Sequence, residues 1–432
     1  MKSFYIMTFG CKVNSYESES VREMLENKGY VRVANFKDAD IVVFNTCAVT
    51  RVSEKKCLTK IRSISAKYPS KTLACFGCYA QLHPEEILEN AKVHVLVGSS
   101  NKHLIADYLE EYFNTGKTTV NVEKNLRKTF YERIGITHFL SEARAFVKIQ
   151  DGCDNFCSYC VIPLTRGVSR SRPHEDILKE IKELALNDYR EIVLTGVDMG
   201  SYDDGENYKL SELINDILEV EPKTFRVRIG SLEASQINEK IIDTYATNPR
   251  LVPHIHIPLQ SGCERILELM GRKYDLNEFY NLTVELKNKI PHLALSTDVI
   301  VGFPTETDEE YKITEDFIKK VGFMRLHVFP YSARPYTKAA QMKGQVRRDV
   351  AKKRVNMLTE VGEELGKEYY ESNLGKTLSV LVEEELFRNG KVKFYRGYTE
   401  NYLDVKVKSE DDLIGKIVDI KLSNDDVQEI IK

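Results

Sequence analysis

The sequence predicts an α/β protein in three parts: a parallel-sheet α/β domain, a full or partial β/α barrel, and a small antiparallel β-barrel of the OB type. Three observations carry this. Short apolar runs alternate with helical stretches up to residue 113, the alternation resumes at greater length from residue 145 to about 330, and beyond the next helical stretch only short alternating runs remain.

The first runs are FYIMTF, DIVVFN, KTLACF and VHVLVG, separated by patterns such as SYESESVREMLENKG. They read as a parallel sheet, whose ligands gather beyond the carboxyl ends of its strands. Cys11 follows the first strand, Cys47 the second and Cys78 the third, so three cysteines far apart in sequence line one sheet edge. Residues 114–143, including TGKTTVNVEKNLRKTFYERIG, are rich in Lys and Arg with little periodicity and read as a linker between domains of residues 1–113 and 144–367. In the second domain the strand candidates are AFVKIQ, EIVLTG, FRVRIG, HIHIPLQ, LALSTDVIVG and RLHVFPY. Their ends, QDGC, TGVD, GSLEAS, LQSG and VGFPTE, are polar and contain Gly, as the ligand face of a barrel requires. TDEEYKITEDFIKKVG opens on Thr307 with Glu310 at capping-box spacing, a helix start. RVNMLTEVGEELGKEYYESN then leads to residues 368–432, where TLSVLVEE, KVKFYRG, YLDVKVK, KIVDIKL and VQEII predict five short strands.

Composition bounds the function. Of 432 residues, 42% are hydrophobic and 29% charged, the balance of a soluble globule. No apolar run approaches the ~20 residues needed to cross a bilayer. The start, MKSFYIMTFGCKVNSYES, lacks the regions of a secretory signal, so the expectation is a cytoplasmic chain with no membrane partner. A net charge of -3 gives no global attraction to nucleic acid, and an RNA partner must be held by a local basic patch. Nine cysteines, an odd number in a long chain, point to metal or redox chemistry rather than a disulfide framework.

DGCDNFCSYC brings Cys153, Cys157 and Cys160 together. Thiolates are soft ligands that select zinc or iron-sulfur. A four-iron cube held by three thiolates keeps one iron open to a small molecule. The other readings at this point are a zinc site completed by a distant Cys or His, or three core cysteines; within this loop only CSYC has the paired zinc-type spacing.

The C-x-x-x-C-x-x-C spacing directly after a strand resembles the cluster loop of radical S-adenosylmethionine (SAM) enzymes, in which the methionine amino and carboxylate groups chelate the open iron. IQDGCDNFCSYCVIPLTRG, EIVLTGVD, HIHIPLQSG and STDVIVGFPTET, with FGCKVNSYES, NTCAVT and FGCYAQ before them, resemble the radical SAM methylthiotransferase family over essentially the whole chain. The resemblance implies an N-terminal cluster domain, a radical SAM core and a C-terminal TRAM domain that grips RNA. It implies one [4Fe-4S] cluster on Cys153, Cys157 and Cys160, an auxiliary [4Fe-4S] cluster on Cys11, Cys47 and Cys78, and SAM as the further cofactor. Cys75, within a strand pattern, reads as buried and inert, as do Cys57 and Cys263. The implied chemistry uses two SAM molecules. One yields a 5′-deoxyadenosyl radical and the other methylates sulfur; no side-chain acid or base is catalytic, because none can remove an aromatic C–H proton.

By the same resemblance Gly196 and Asp198 in LTGVD meet the SAM amino group. Arg228, Ser231 and Glu233 in RIGSLEAS face its ribose and carboxylate, with His256 and Gln260 at the same mouth; each also reads as a satisfied polar residue of the barrel. For RNA, KVKFYRGYTENYLDVKVK interleaves Lys391, Lys393, Arg396, Lys406 and Lys408 with Phe394, Tyr395, Tyr398 and Tyr402. A solvated sheet face over aromatic core residues produces the same alternation. The family acts on threonylcarbamoyl-adenosine in tRNA, on isopentenyl-adenosine in tRNA, or on an aspartate of a ribosomal protein. GCKVN resembles the first group, whereas the isopentenyl group tends to show Gln-Met after that cysteine. The implied reaction is therefore methylthiolation of C2 of N6-threonylcarbamoyladenosine at position 37, beside the anticodon. The implied partners are tRNA, not DNA, and an electron donor such as flavodoxin or ferredoxin. A reading from a different class is a non-catalytic zinc-containing RNA-binding module, against which two cysteine trios, rather than quartets, argue.

Overall fold

A computed structural model describes residues 2–431 apart from 129 and 140–142, and omits the Lys128 side chain. Parts of the expected linker, and residue 432, therefore lie outside the described residues. The chain packs as two compact units, one of residues 1–138, 148–176 and 332–340, the other of 139–147, 177–331 and 341–432.

The first unit is built on a sheet of β1 (Ser3–Thr8), β2 (Val31–Arg32), β3 (Ile41–Thr46), β4 (Thr72–Gly77), β5 (Val95–Val97) and β6 (Thr119–Asn121), in the order β2-β1-β3-β4-β5-β6. Each neighbouring pair is parallel. Ile41–Thr46 is buried at every position, as befits a central parallel strand covered on both faces. Alternation divides its side chains between two cores. Val42 and Phe44 pack with Leu73, Cys75, Cys57 and Ile61. Ile41 and Val43 pack with Phe4, Ala74, Phe76 and Val95 on the other face. Residues 119–121, expected as linker, instead add the edge strand β6. In the same unit, β8 (Gln150–Asp151) pairs antiparallel with β9 (Arg170–Ser171).

The second unit holds β7 (Ala145–Lys148) up to Val147, β10 (Glu191–Thr195) and β11 (Arg226–Ile229) in the order β11-β10-β7, and β12 (His254–His256), β13 (Ala294–Val301) and β14 (Arg325–Pro330) in that order. Parallel bridges Val227–Leu251 and Ser231–His256 join the two sheets into a six-strand open barrel. Helices His174–Leu186, Leu210–Glu219, Glu239–Thr247, Leu276–Lys289 and Asp308–Val321 connect successive strands. The last begins with the expected capping box, Thr307 accepting from the Glu310 amide.

Helix Arg348–Ser372 leads to β15 (Thr377–Asn389), β16 (Val392–Thr399), β17 (Asp404–Ser409) and β18 (Ile417–Lys421), antiparallel in the order β17-β16-β15-β18. The expected fifth strand, VQEII, makes only isolated bridges, Gln428 to Val407 and Ile430 to Ile420. Between β16 and β17, Tyr402 (φ 68°) projects onto the barrel strands of this unit. Its ring lies under the guanidinium groups of Arg228 (4.5 Å), Arg325 (5.3 Å) and Arg144 (5.5 Å) and beside His254 (4.7 Å).

Candidate functional site

Three cysteines stand along one sheet edge, where the adjacent strands β1, β3 and β4 end. The register aligns Thr8 with Asn45, and Thr46 with Gly77, so Cys11, Cys47 and Cys78 each follow a strand terminus at one edge. Cys11 caps helix Lys12–Asn27, and Cys78 opens the short helix Cys78–Leu82. Gly77 makes the second turn feasible. Its φ is 100°, and an added Cβ would meet the Thr46 carbonyl at 2.6 Å.

The thiol-bearing loops are laced together by amides. Asn14 donates to the Phe9 carbonyl (2.9 Å), Asn45 Oδ1 (3.0 Å) and the Thr46 carbonyl (3.2 Å), and Asn45 returns a bond to the Asn14 carbonyl (2.7 Å). Thr46 Oγ1 donates to the Phe76 carbonyl (2.7 Å) and accepts from the Ala80 amide (3.0 Å), which ties the Cys47 loop to the Cys78 loop. Burial, opposed by the Val49 amide at 3.5 Å, pushes the Cys47 thiol up to about 12, and neighbouring Cys78 and Cys11 add to the rise. Burial also raises Cys78, with Arg166 opposing it. Thiols in such surroundings stay protonated at neutral pH unless a cation replaces the proton. Three cysteines at the ends of three adjacent parallel strands are a donor set that fits a thiolate-bound metal cluster with one open corner. Cys75 and Cys57, by contrast, are buried members of the apolar core beneath the sheet.

The second trio occupies the loop after β8. Cys153, Cys157 and Cys160 are partly exposed. Amides of Asn155 and Ile162 point at Cys153 and Cys160 sulfur, both at 3.4 Å. Gly152 (φ 75°) starts the loop where any Cβ would collide with the Val168 carbonyl. Gln150 braces it, donating to the Gly152 carbonyl (2.8 Å), the Asp151 carbonyl (3.0 Å) and Ser169 Oγ (2.9 Å). A cavity of about 230 Å³ opens beside Cys157 and Cys160, lined also by Phe156, Pro163, Gly167 and Tyr336.

A buried ion network joins the two cysteine loops within this unit. Arg166, 1% exposed, donates Nε–H to Cys78 Sγ at 3.2 Å. Its other nitrogens reach Glu17 (2.8 and 3.0 Å), Asp151 Oδ1 (3.0 Å) and Asn14 Oδ1 (3.2 Å). Lys148 Nζ bridges Glu17 (2.7 Å) and Asp151 (2.6 Å), and Lys102 pairs with Glu17 (3.5 Å) and Glu132. Burial alone would raise the carboxyls of Glu17 and Asp151, but the surrounding Arg166, Lys148 and Lys102 hold both well below the usual range. Sequence reading misses this network. The visible hint is charge inside otherwise apolar strand and loop patterns, in AFVKIQDG and PLTRG.

In the second unit, the expected cofactor residues separate into two places. Asp198, after β10, accepts from Gln236 Nε2 (2.7 Å). Glu233 is ion-paired with Arg272; burial raises its carboxyl, Arg272 opposes that, and Asp198 and His256 also act on it. Gly196, Asp198, Ser231, Glu233, His256 and Gln260 thus lie at or just past the carboxyl ends of β10, β11 and β12. Gln260 (φ 65°) is fixed by backbone bonds from its amide to Asp298 (2.8 Å) and to its carbonyl from Ile300 (2.9 Å). Sequence reading also misses Asp298 and His327, whose side chains gather with His256 so that one ligand atom of each lies within 4.8 Å of the others. His256 Nδ1 contacts Ser296 Oγ at 3.0 Å and Nε2 lies 3.4 Å from Asp298.

Arg228 does not join that mouth, contrary to the expectation for it. Its guanidinium is spent on Glu191 (2.9 and 3.0 Å) and on the carbonyls of Glu400 (3.1 Å) and Thr399 (3.3 Å). The register explains this. Arg226 and Arg228 share one face of β11, and Arg226 (2.7 Å) and Arg144 (3.0 Å) complete a triad around Glu191.

Of the expected RNA-contacting cations, Lys391 is exposed. Lys393 pairs with Asp412, Arg396 with Asp404 and Glu384, Lys406 with Asp426 (2.8 Å) and Lys408 with Glu429 (2.6 Å). Ion pairs on a solvent-facing sheet surface such as this are weak. Tyr398 stacks on Tyr402 (5.1 Å) rather than standing clear of the sheet. Phe387 and Phe394 form a stacked pair with centroids 4.4 Å apart, Phe387 being exposed.

Comparison with known proteins matches residues 3–98 to uncharacterized protein family UPF0004 and residues 147–318 to the Radical SAM superfamily. The chain is 38% identical to the threonylcarbamoyladenosine tRNA methylthiotransferase MtaB of Bacillus subtilis, across 96% of this chain and 92% of that protein. It is 35% identical to the tRNA-2-methylthio-N(6)-dimethylallyladenosine synthase of Caldicellulosiruptor saccharolyticus, across 98% and 90%. A solved radical S-adenosylmethionine methyltransferase, TsrM from Kitasatospora setae, superposes with TM-score 0.62 at 14% identity, covering 78% of this chain and 77% of that one, a likeness of fold.

Proposed function

The chain belongs to the radical SAM methylthiotransferase family, and from that premise we propose that it methylthiolates C2 of N6-threonylcarbamoyladenosine at position 37 of tRNA. The observation that carries the chemistry is two sets of three thiols in one packing unit, linked through Arg166. Cys153, Cys157 and Cys160 hold the SAM-binding cluster, and Cys11, Cys47 and Cys78 an auxiliary one. When bound, such clusters supply the electron that splits SAM and the sulfur chemistry. The protein holds and shapes: Gln150 fixes the loop of Cys153, Cys157 and Cys160, and Asn14 and Asn45 fix the loops that follow β1 and β3. Gly196, Asp198, Ser231, Glu233, His256 and Gln260 are the SAM-contacting set, with Arg228 withdrawn.

Residues 1–113 serve as the auxiliary-cluster domain, 144–367 as the radical core and 368–432 as the RNA-binding domain. There Lys391, Lys393, Arg396, Lys406 and Lys408 meet phosphates, the paired ones exchanging their acidic partners for them. A flavodoxin or ferredoxin supplies electrons in the cytoplasm. The threonylcarbamoyl substrate is supported by the 38% identity to a protein named for it, against 35% for the dimethylallyl synthase. Nucleoside mass spectrometry of tRNA from cells lacking the protein tests this. Loss of the methylthio-threonylcarbamoyl nucleoside is expected, and loss of the dimethylallyl counterpart instead would reassign the substrate. Anaerobic analysis should find about eight irons and eight sulfides per chain; zinc without sulfide would sink the catalytic reading.

A further inference from the structure

Arg166 reaches a cysteine of the first trio from the segment that carries the second. It ends the short helix Ile162–Arg166, which begins two residues after Cys160 and packs against the helix opened by Cys78. Its Nε–H is aimed at Cys78 sulfur at 3.2 Å, and the guanidinium plane is locked from the opposite side by Glu17 and Asp151. Glu17 is wholly buried and itself bonded to Lys148 (2.7 Å), so the carboxylate that holds the fork is itself held.

A guanidinium stays charged at any working pH. Placed in a low-dielectric interior, its charge acts strongly on whatever negative charge accumulates on the sulfur beside it. A three-thiolate cluster is anionic and becomes more so on reduction. Hydrogen bonds to ligand sulfurs and the local net charge are among the levers that set cluster potentials.

We propose that Arg166 is a positioning residue that sets the reduction potential of the cluster held by Cys11, Cys47 and Cys78, and that it mechanically ties this cluster to the loop carrying Cys153, Cys157 and Cys160. The inference rests on reading Cys11, Cys47 and Cys78 as cluster ligands. The strap is short and buried, so a shift of the Cys160 loop is transmitted to the Cys78 sulfur through a single side chain.

The test uses the full chain with Cys153, Cys157 and Cys160 changed to Ala, so that only the auxiliary cluster is read. Iron and sulfide are counted first, and fewer than about four irons in this parent overturns the ligand reading itself. With about four irons present, redox titration followed by electron paramagnetic resonance compares the parent with Arg166→Met and Arg166→Lys. Removing the charge should disfavour reduction by at least about tenfold, a fall of about 59 mV for one electron. Arg166→Lys, which keeps the charge but loses the planar fork, should recover more than half of that fall while changing the resonance line shape. If Arg166→Met does not fold, the Lys variant alone decides: an unaltered line shape and potential overturn the proposal. A Met variant with full iron content and unchanged potential overturns it equally.

Discussion

Glu191→Gln should be among the most damaging single changes outside the cysteines. The carboxylate is fully buried and accepts from three arginines: Arg228 at 2.9 and 3.0 Å, Arg226 at 2.7 Å and Arg144 at 3.0 Å. Burial would raise its pKa, yet Arg228, Arg226 and Arg144 hold it well below the usual carboxylate range. The amide keeps the volume, removes the charge and turns N–H groups toward guanidinium. Breaking a buried ion pair from one side costs about 3–5 kcal/mol. At about 2–4 °C per kcal/mol for a unit of this size, the melting temperature should fall by roughly 6–20 °C. Scanning calorimetry measures it directly. The sign of the pH effect follows from the depressed folded pKa. Glu191 contributes its stability above the unfolded value of about 4.3, and that contribution is lost as pH falls toward the folded value. The gap between wild type and variant should therefore narrow on acidification below about pH 4.3. A loss under about 2 °C, or a gap constant with pH, would refute the assignment of Glu191 as the charge that holds this triad.

Three further outcomes are expected. Gly77→Ala, which forces a Cβ against the Thr46 carbonyl at a φ of 100°, should lower bound iron from about eight to about four per chain while leaving deoxyadenosine formation measurable; full iron loading would contradict the role given to that turn. Cys157→Ala should abolish SAM cleavage, whereas Cys47→Ala should leave cleavage intact and stop product, and normal methylthio product from the second variant would remove the auxiliary site from the reaction. Arg396→Ala or Lys406→Ala should weaken tRNA binding and reduce the magnitude of the salt slope by about 0.7–0.9 for each phosphate left unneutralised, read from filter binding across a salt series; an unaltered slope would place the RNA elsewhere.

The loop of Cys153, Cys157 and Cys160 is legible in the sequence because it needs only local information: a spacing, a preceding strand and a glycine turn. The sheet and barrel follow from runs such as DIVVFN and EIVLTG, whose apolar continuity signals strands covered on both faces. The ion networks are not legible. Arg166 meets Cys78 across 88 residues and Lys148 meets Glu17 across 131, and no periodicity encodes such pairings. Arg228 escapes for a related reason: alternation gives the face of a strand but not what covers it. The cations of KVKFYRGYTENYLDVKVK look open in the sequence because some acids that pair with them, Asp426 and Glu429, arrive from about twenty residues downstream. TTVNV reads as linker because three residues at a sheet edge leave almost no pattern.

Tyr402 gives the end of the chain a second duty. With its ring packed among Arg144, Arg228, Arg325 and His254, it fastens the last strands to the barrel of the same unit. The last four strands are therefore no detachable handle for a nucleic acid. Grafted onto another protein they would lose the partners of that ring, and a barrel trimmed of them would leave three guanidinium groups without the aromatic face they share.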